Sequence, residues 1–214
     1  MSIIHHIEAA DLMLATLWPR PFSRVGWLFE LKYDGFRCLV RKHGPLVSLI
    51  SRQGNILNGS FPDIIEAVAA VPGDFAWDAE LTVDESTGRS SFERLQTRAR
   101  TSVPGRVRAA IRAHPARLYV FDVLAVDERD IRRLSLIERK QILRVSFDDT
   151  ATLVYVSGVV EAGEWVFEQV QAHDFEGMLG KRLDAPYQRG RTKNWLKVKY
   201  ANYSRPAALG WGRS

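Results

Sequence analysis

The chain has 214 residues, of which 46% are hydrophobic and 26% charged; this excludes a disordered polymer and suffices for one sizeable core or two small lobes around a cleft. Its formal charge of +5 is carried largely by arginine and suits a polyanionic partner as well as a plain solvated surface. A single cysteine, Cys38, rules out an internal disulfide or a cysteine zinc cluster, and no run reaches the ~18–20 apolar residues of a membrane span.

Residues 1–26 read as a lead-in. No basic region precedes an apolar core there, so no signal peptide is expected and a bacterial or nuclear-type cytosolic setting fits. Pro19, Pro21 and Gly26 suit an extended path over 15–26. Residues 27–32 and 36–42 are strand-like and flank the turn dipeptide Asp34-Gly35, which predicts a hairpin. A short strand follows at 46–51. Residues 61–70 read as a helix, with Pro62 in the first turn and Ile64, Ile65 and Val68 on one face. Residues 76–83 alternate: Trp77, Ala79, Leu81 and Val83 lie on one side, Asp78, Glu80 and Thr82 on the other.

Residues 91–114 read as a strongly basic helix broken in two at Pro104-Gly105. Residues 118–126 have the length and apolarity of a buried strand. Ser135 and Glu138 match a capping box before a helix that reaches about Val145. A strand at 152–157, a helix at 163–173 and strands at 175–183 and 194–200 complete the chain. Strands and helices mixed in this order predict an α+β fold of antiparallel sheets flanked by helices, rather than a βαβ series.

The chemistry centres on Glu30-Leu31-Lys32-Tyr33-Asp34-Gly35-Phe36-Arg37. A lysine at a strand end reaches a cleft while its stem packs on the sheet. To attack phosphorus it must be a neutral amine, which takes desolvation or nearby positive charge. Alone, K-x-D-G equally describes a surface hairpin with incidental charges. Glu80 on the alternating strand can hold a ribose hydroxyl or a metal ion, or simply face water. Phe121 can stack on a purine or pack in the core. Glu176 can bind metal, Lys181 can approach phosphate, and Lys197 and Lys199 share a strand face on which an anion would relieve their repulsion.

Taken in order, K-x-D-G-x-R, a strand glutamate, an aromatic strand, E-G-x-x-x-K and K-x-K resemble the ATP-dependent DNA ligase family over residues 27–200. Ser91-Phe92-Glu93-Arg94-Leu95-Gln96-Thr97-Arg98 resembles the S-F-x-x-L-Q-x-R segment of bacterial end-joining ligases. Gly190-Arg191-Thr192-Lys193-Asn194-Trp195-Leu196-Lys197-Val198-Lys199 resembles their G-R-S-x-x-W-L-K-x-K. These longer stretches separate DNA ligases from mRNA capping enzymes, which share K-x-D-G.

The resemblance implies a nucleotidyltransferase core, ATP-grasp-like, with ATP in a cleft between sheets. It implies that Lys32 attacks the α-phosphate of ATP to form lysyl–AMP. Arg37 and Arg52 would contact sugar or phosphates, Glu80 the ribose or metal, and Phe121 the adenine, with Glu30 beside the adenine pocket. Glu176 would bind the metal, Mg²⁺ or Mn²⁺, and Lys181, Lys197 and Lys199 the phosphates. AMP would pass to the 5′-phosphate of nicked or broken duplex DNA, whose backbone Arg98, Arg100, Arg106 and Arg108 would contact. The family's OB-fold domain is a five-stranded barrel. Residues 201–214 are too short for one, so a flexible tail is expected there, with a repair partner supplying the DNA clamp. The alternatives are a stand-alone adenylyltransferase, a DNA-end-binding repair factor, or an RNA-sealing enzyme.

Overall fold

A computed structural model describes residues 2–204. Most of the expected tail, residues 205–214, lies outside the described residues. The chain opens with helix α1 (Ile3–His6), a short 3-10 turn (Ala9–Asp11) and strand β1 (Met13–Leu17). Strands β2 (Trp27–Lys32), β3 (Phe36–His43) and β4 (Leu46–Ser51) follow, then helix α2 (Pro62–Ala69) and strand β5 (Phe75–Val83). Helices α3 (Phe92–Ala99) and α4 (Pro104–Ala113) precede strands β6 (Ala116–Val126) and β7 (Arg129–Asp130) and helix α5 (Leu136–Arg144). The chain closes with β8 (Leu153–Tyr155), β9 (Val159–Val160), helix α6 (Gly163–Ala172), β10 (Gly177–Arg182) and β11 (Gly190–Lys199).

Two sheets result. One runs β1-β11-β10-β2-β9; the other runs β4-β3-β5-β6-β7, with β8 joined to β6. The α+β expectation holds, with two departures from purely antiparallel order: β1 pairs with β11 and β8 with β6 in parallel. The first also corrects the lead-in, since five of its residues form a sheet edge.

The hairpin expected around Asp34-Gly35 does not form. β2 pairs with β10 along its whole length and with β9 at Leu28 and Phe29, while β3 enters the other sheet between β4 and β5. Residues 33–35 are instead a crossing between sheets, and Gly35 is required for it. A Cβ at that position would fall 2.3 Å from the Leu81 carbonyl oxygen, because the crossing rides directly on β5. The crossing leaves Lys32 on one wall and Arg37 on the other.

The alternation of β5 works as the sequence indicates. Trp77, Ala79, Leu81 and Val83 enter a core shared with Phe61, Ile64 and Val68 at α2 and Leu95 of α3. The Ser135–Glu138 capping box starts α5. A further core packs Phe29, Met178 and Val198 against Val166 and Val170 of α6. Among the described residues no helix is long and apolar enough to cross a membrane.

The structure also corrects Arg98. Its side chain is fully buried rather than offered to a polyanion. It pairs with Asp63 and donates to the carbonyls of Ser60, at 3.2 Å, and His114, at 2.8 Å. It therefore ties α3 to the start of α2 and the end of α4. Arg98→Ala is expected to lower unfolding free energy by ~2–4 kcal/mol, since it leaves several polar groups without a partner. Urea unfolding checks this; a loss below ~1 kcal/mol would make the residue dispensable to the fold.

Candidate active site

The two sheets face each other across a cleft of about 920 Å³, the size class that holds a nucleotide. One wall is set by strand register. Lys32, Gly177 and Lys199 form one cross-strand row, and Glu30, Leu179 and Lys197 the next. All three lysines therefore stand on one face of the sheet. Gly177 has no room for a side chain, since a Cβ would fall 2.1 Å from the Val198 carbonyl oxygen. Its neighbour Glu176 bonds the Lys32 ammonium, with Lys199 at 3.9 Å.

The opposite wall supplies Arg37 and Glu80, paired across β3 and β5, together with Phe121, Arg52 and Gln96. The Arg52 N–H donates to the Arg37 carbonyl at 3.0 Å, which holds the loop after β4 against the start of β3. Of the residues singled out in the sequence, Glu30, Lys32, Arg37, Arg52, Glu80, Phe121, Glu176, Lys197 and Lys199 all line this one cleft.

Lys181 does not. Its side chain is fully buried behind the wall, 2.5 Å from Glu30 and 4.5 and 4.3 Å from the Phe121 and Trp195 ring centroids. Direct contact with phosphate is thus replaced by an ion pair. Alternation along β10 puts it on the same face as Gly177 and Leu179, but the Phe121 and Trp195 rings cover it.

Several residues escaped sequence reasoning. Asp78, fully buried, binds the Arg37 guanidinium through both oxygens, at 2.9 and 2.5 Å, and accepts from the Tyr187 hydroxyl at 2.6 Å. Tyr187 in turn accepts from the Met13 N–H at 2.9 Å, which ties β1 into the same network. Arg37 also lies 5.4 and 5.5 Å from the Phe121 and Trp195 ring centroids. Its fork is held by Asp78 beside two rings, with little freedom left to lose on binding an anion. Asp78 could have been found as a charge on the polar side of β5; Tyr187 left no signal beyond its place ahead of the G-R segment.

The electrostatics suit an anion. Burial lowers the pKa of Lys197, and Lys199, Lys32 and Arg191 lower it further, so this cluster binds a negative guest at reduced cost. The donor set also fits a metal ion of one kind. Among the described residues no group of three or more ligating side chains forms a cage. Glu80 and Glu176 alone match a hard divalent cation completed by phosphate oxygens and water.

Burial pushes the Glu80 carboxyl up to about 7 from 4.5, against the pull of the Lys32 and Arg37 charges. The fold thus holds this proton more tightly than the unfolded chain does. Below 4.5 both states carry it and nothing is lost; between there and about 7 only the unfolded chain has released it, and stability falls. In nucleotide-free protein, Glu80→Gln is expected to gain ~2 kcal/mol on the parent chain by about pH 8, with the gain vanishing in acid. Thermal unfolding across pH tests this; a gain that does not change with pH would refute it.

Comparison with known proteins agrees with this geometry. The family model of the ATP dependent DNA ligase domain matches residues 13–199. The bifunctional non-homologous end joining protein LigD of Bacillus subtilis is 28% identical over 207 residues, covering 89% of this chain and 34% of that protein. A probable DNA ligase of Streptomyces coelicolor is 35% identical over 177 residues, covering 79% of this chain and 34% of that protein. The crystal structure of the ligase domain from M. tuberculosis LigD superposes with a TM-score of 0.76 at 27% identity, covering 93% of this chain and 61% of that one. A mycobacterial DNA ligase D complexed with ATP and MES gives the same TM-score at 26% identity, with 94% and 62% covered. The chain thus spans about a third of the length of these two curated relatives.

Proposed function

The chain belongs to the ATP-dependent DNA ligase domain family, and from that premise we propose that it charges Lys32 with AMP and passes the AMP to DNA for strand sealing in repair. The observation that carries this reading is the gathering of Lys32, Lys197, Lys199, Glu80 and Glu176 in one nucleotide-sized cleft.

The Lys32 amine lone pair forms a bond to the α-phosphorus, the bridging P–O bond breaks, pyrophosphate leaves and the amine proton goes to solvent. A DNA 5′-phosphate oxygen then displaces lysine from that phosphorus. A 3′-hydroxyl oxygen next attacks the DNA phosphorus and expels AMP, its proton also going to solvent. Phe121 carries the base, Glu80 the ribose, and Lys197 and Lys199 stabilise charge on the phosphates. Glu176 bonds the Lys32 side chain, so that bond must give way before the Lys32 nitrogen can meet the α-phosphorus. Mg²⁺ or Mn²⁺, with Glu80 and Glu176 as its carboxylate ligands, would neutralise phosphate charge.

The test uses ATP labelled on the α-phosphate, with Mg²⁺ or Mn²⁺, with and without nicked duplex. Label on protein that moves to DNA, followed by sealed strands, supports the reading. Label that stays on protein limits the chain to adenylyl transfer, with sealing dependent on a partner. No label with either metal overturns the enzymatic reading.

Arg106 and Arg108 on α4 are exposed, and Arg100 at the end of α3 is exposed as well. With Arg98 buried, these remain as contacts to a DNA backbone. Arg106→Gln/Arg108→Gln is expected to weaken duplex binding irrespective of sequence and to reduce the slope of log K against log salt by ~2. An unchanged slope would remove α4 from the DNA face.

A further inference from the structure

Lys32 stands where β2 runs out of support. β9 pairs with β2 at Leu28 and Phe29, short of Lys32, whose partner on the other side is Gly177 of β10. Glycine offers no side chain to pack against. The chain then leaves the sheet at Tyr33, and the Tyr33 ring takes over the role of a strand neighbour. It stacks on Tyr119 of β6, with centroids 3.9 Å apart and planes 17° from parallel. It also meets Phe175 in a T-shaped contact at 6.3 Å, and Phe175 precedes the Glu176 that bonds Lys32. Tyr119 is itself anchored. Its hydroxyl donates to Asp84 at 2.6 Å, and Asp84 accepts in turn from the Thr82 hydroxyl at 2.9 Å and the Ser90 hydroxyl at 3.1 Å. Burial and the Asp84 carboxylate push the Tyr119 hydroxyl up to about 12, so it stays a donor.

We infer that Tyr119 is a positioning residue for adenylyl transfer, which acts through Tyr33 to hold Lys32 in line with the α-phosphorus. The inference rests on the reading above, in which Lys32 attacks ATP. Tyr33 lines the cleft but Tyr119 does not, so Tyr119 acts on the reaction only through its neighbour. Tyr119 and Phe121 enter the same core, whereas Leu118 and Val120 enter the other. One face of one strand thus carries both the platform for the base and the anchor for the residue after the nucleophile. That linkage fixes the distance between bound nucleotide and attacking amine. Glu176 holds the tip of the Lys32 side chain, and the Tyr33 stack fixes its root. In-line displacement tolerates little error: a shift of ~1 Å at the nucleophile can cost ~100-fold in rate.

The test is single-turnover labelling of the full chain from ATP labelled on the α-phosphate. Tyr119→Leu frees the Tyr33 ring and removes no group that lines the cleft. Its rate constant is expected to fall ~10–100-fold, with the half-saturating ATP concentration within ~3-fold of the parent. Tyr119→Phe keeps the stack and loses only the bond to Asp84, so its rate constant is expected to stay within ~3-fold of the parent. A ring that merely fills the core would lower the fraction of chains that take label and leave their rate constant unchanged; that result overturns the inference. So does a loss that lies wholly in half-saturating ATP. Tyr33→Leu should slow labelling as much, and adding Tyr119→Leu to it should cost little more. Losses that multiply would mean that Tyr119 does not act through Tyr33. Should Tyr119→Leu not fold, Tyr33→Leu alone serves, and an unchanged rate constant overturns the inference. If the parent chain takes no label from ATP, it is the reading of Lys32 that fails. The hold on Lys32 is then read from amide hydrogen exchange at residues 32–35, which should quicken in Tyr119→Leu; unchanged exchange overturns the inference.

Discussion

Lys32→Ala is expected to abolish label transfer from ATP to the protein, by at least ~10⁴-fold, because no other group in the cleft is set to replace a missing nucleophile. Lys197 and Lys199 stand on the same face but on β11, two strands from β2, facing Leu179 and Gly177 rather than occupying the end of β2. Lys32→Arg separates nucleophile from binding cation. A guanidinium keeps the charge and the pairing with Glu176 but does not deprotonate, so this variant should bind ATP and still take no label. The fold should hardly notice either change, since Lys32 is partly exposed and its loss leaves Glu176 beside Lys199. The bond to phosphorus is a phosphoramidate, so label on the parent chain should be lost in acid and kept in base. Label on either variant would place the nucleophile elsewhere.

How far the sequence could be read follows from how local each signal is. β5 was legible because burial on one face imposes period two, and α5 because its capping box lies within four residues. β1 was not, since its partner β11 lies more than 170 positions away and prolines at 19 and 21 dominate the local pattern. Asp34-Gly35 reads as a hairpin turn for the same reason. The dipeptide permits a tight change of direction, but the sheet that receives the next strand depends on distant partners, β5 among them. The site divides similarly. Lys32 was found from its place before Asp34-Gly35 at a strand end, and Lys197 and Lys199 because strand alternation fixes their shared face. Lys181 obeys the same alternation yet ends up sealed under Phe121 and Trp195, and only packing decides that. Lys140 and Tyr187 act on Glu30 and Asp78 from 110 and 109 positions away, so no spacing rule reaches them.

Asp78→Ala should be the most disruptive single change in the second wall, lowering unfolding free energy by ~3–5 kcal/mol. Asp78 lies opposite Asp122 across the β5–β6 ladder, and both carboxylates are fully buried. Such neighbours are tolerable only because each has its own guanidinium: Arg37 on Asp78, and Arg139 on Asp122 at 2.7 and 2.9 Å. Removing Asp78 relieves one repulsion but leaves Arg37 with no carboxylate in its fork and the Tyr187 hydroxyl without an acceptor, and the second loss is larger. Function should suffer separately. With its fork freed, Arg37 can turn off the Phe121 and Trp195 rings, so KM for ATP should rise even at temperatures where the variant stays folded. Arg37→Met in the Asp78→Ala background should cost much less than Arg37→Met alone, with a coupling of ~2–3 kcal/mol in urea unfolding. If the two losses simply add, the pair is two independent polar groups, and the rigid platform ascribed to Arg37 does not exist.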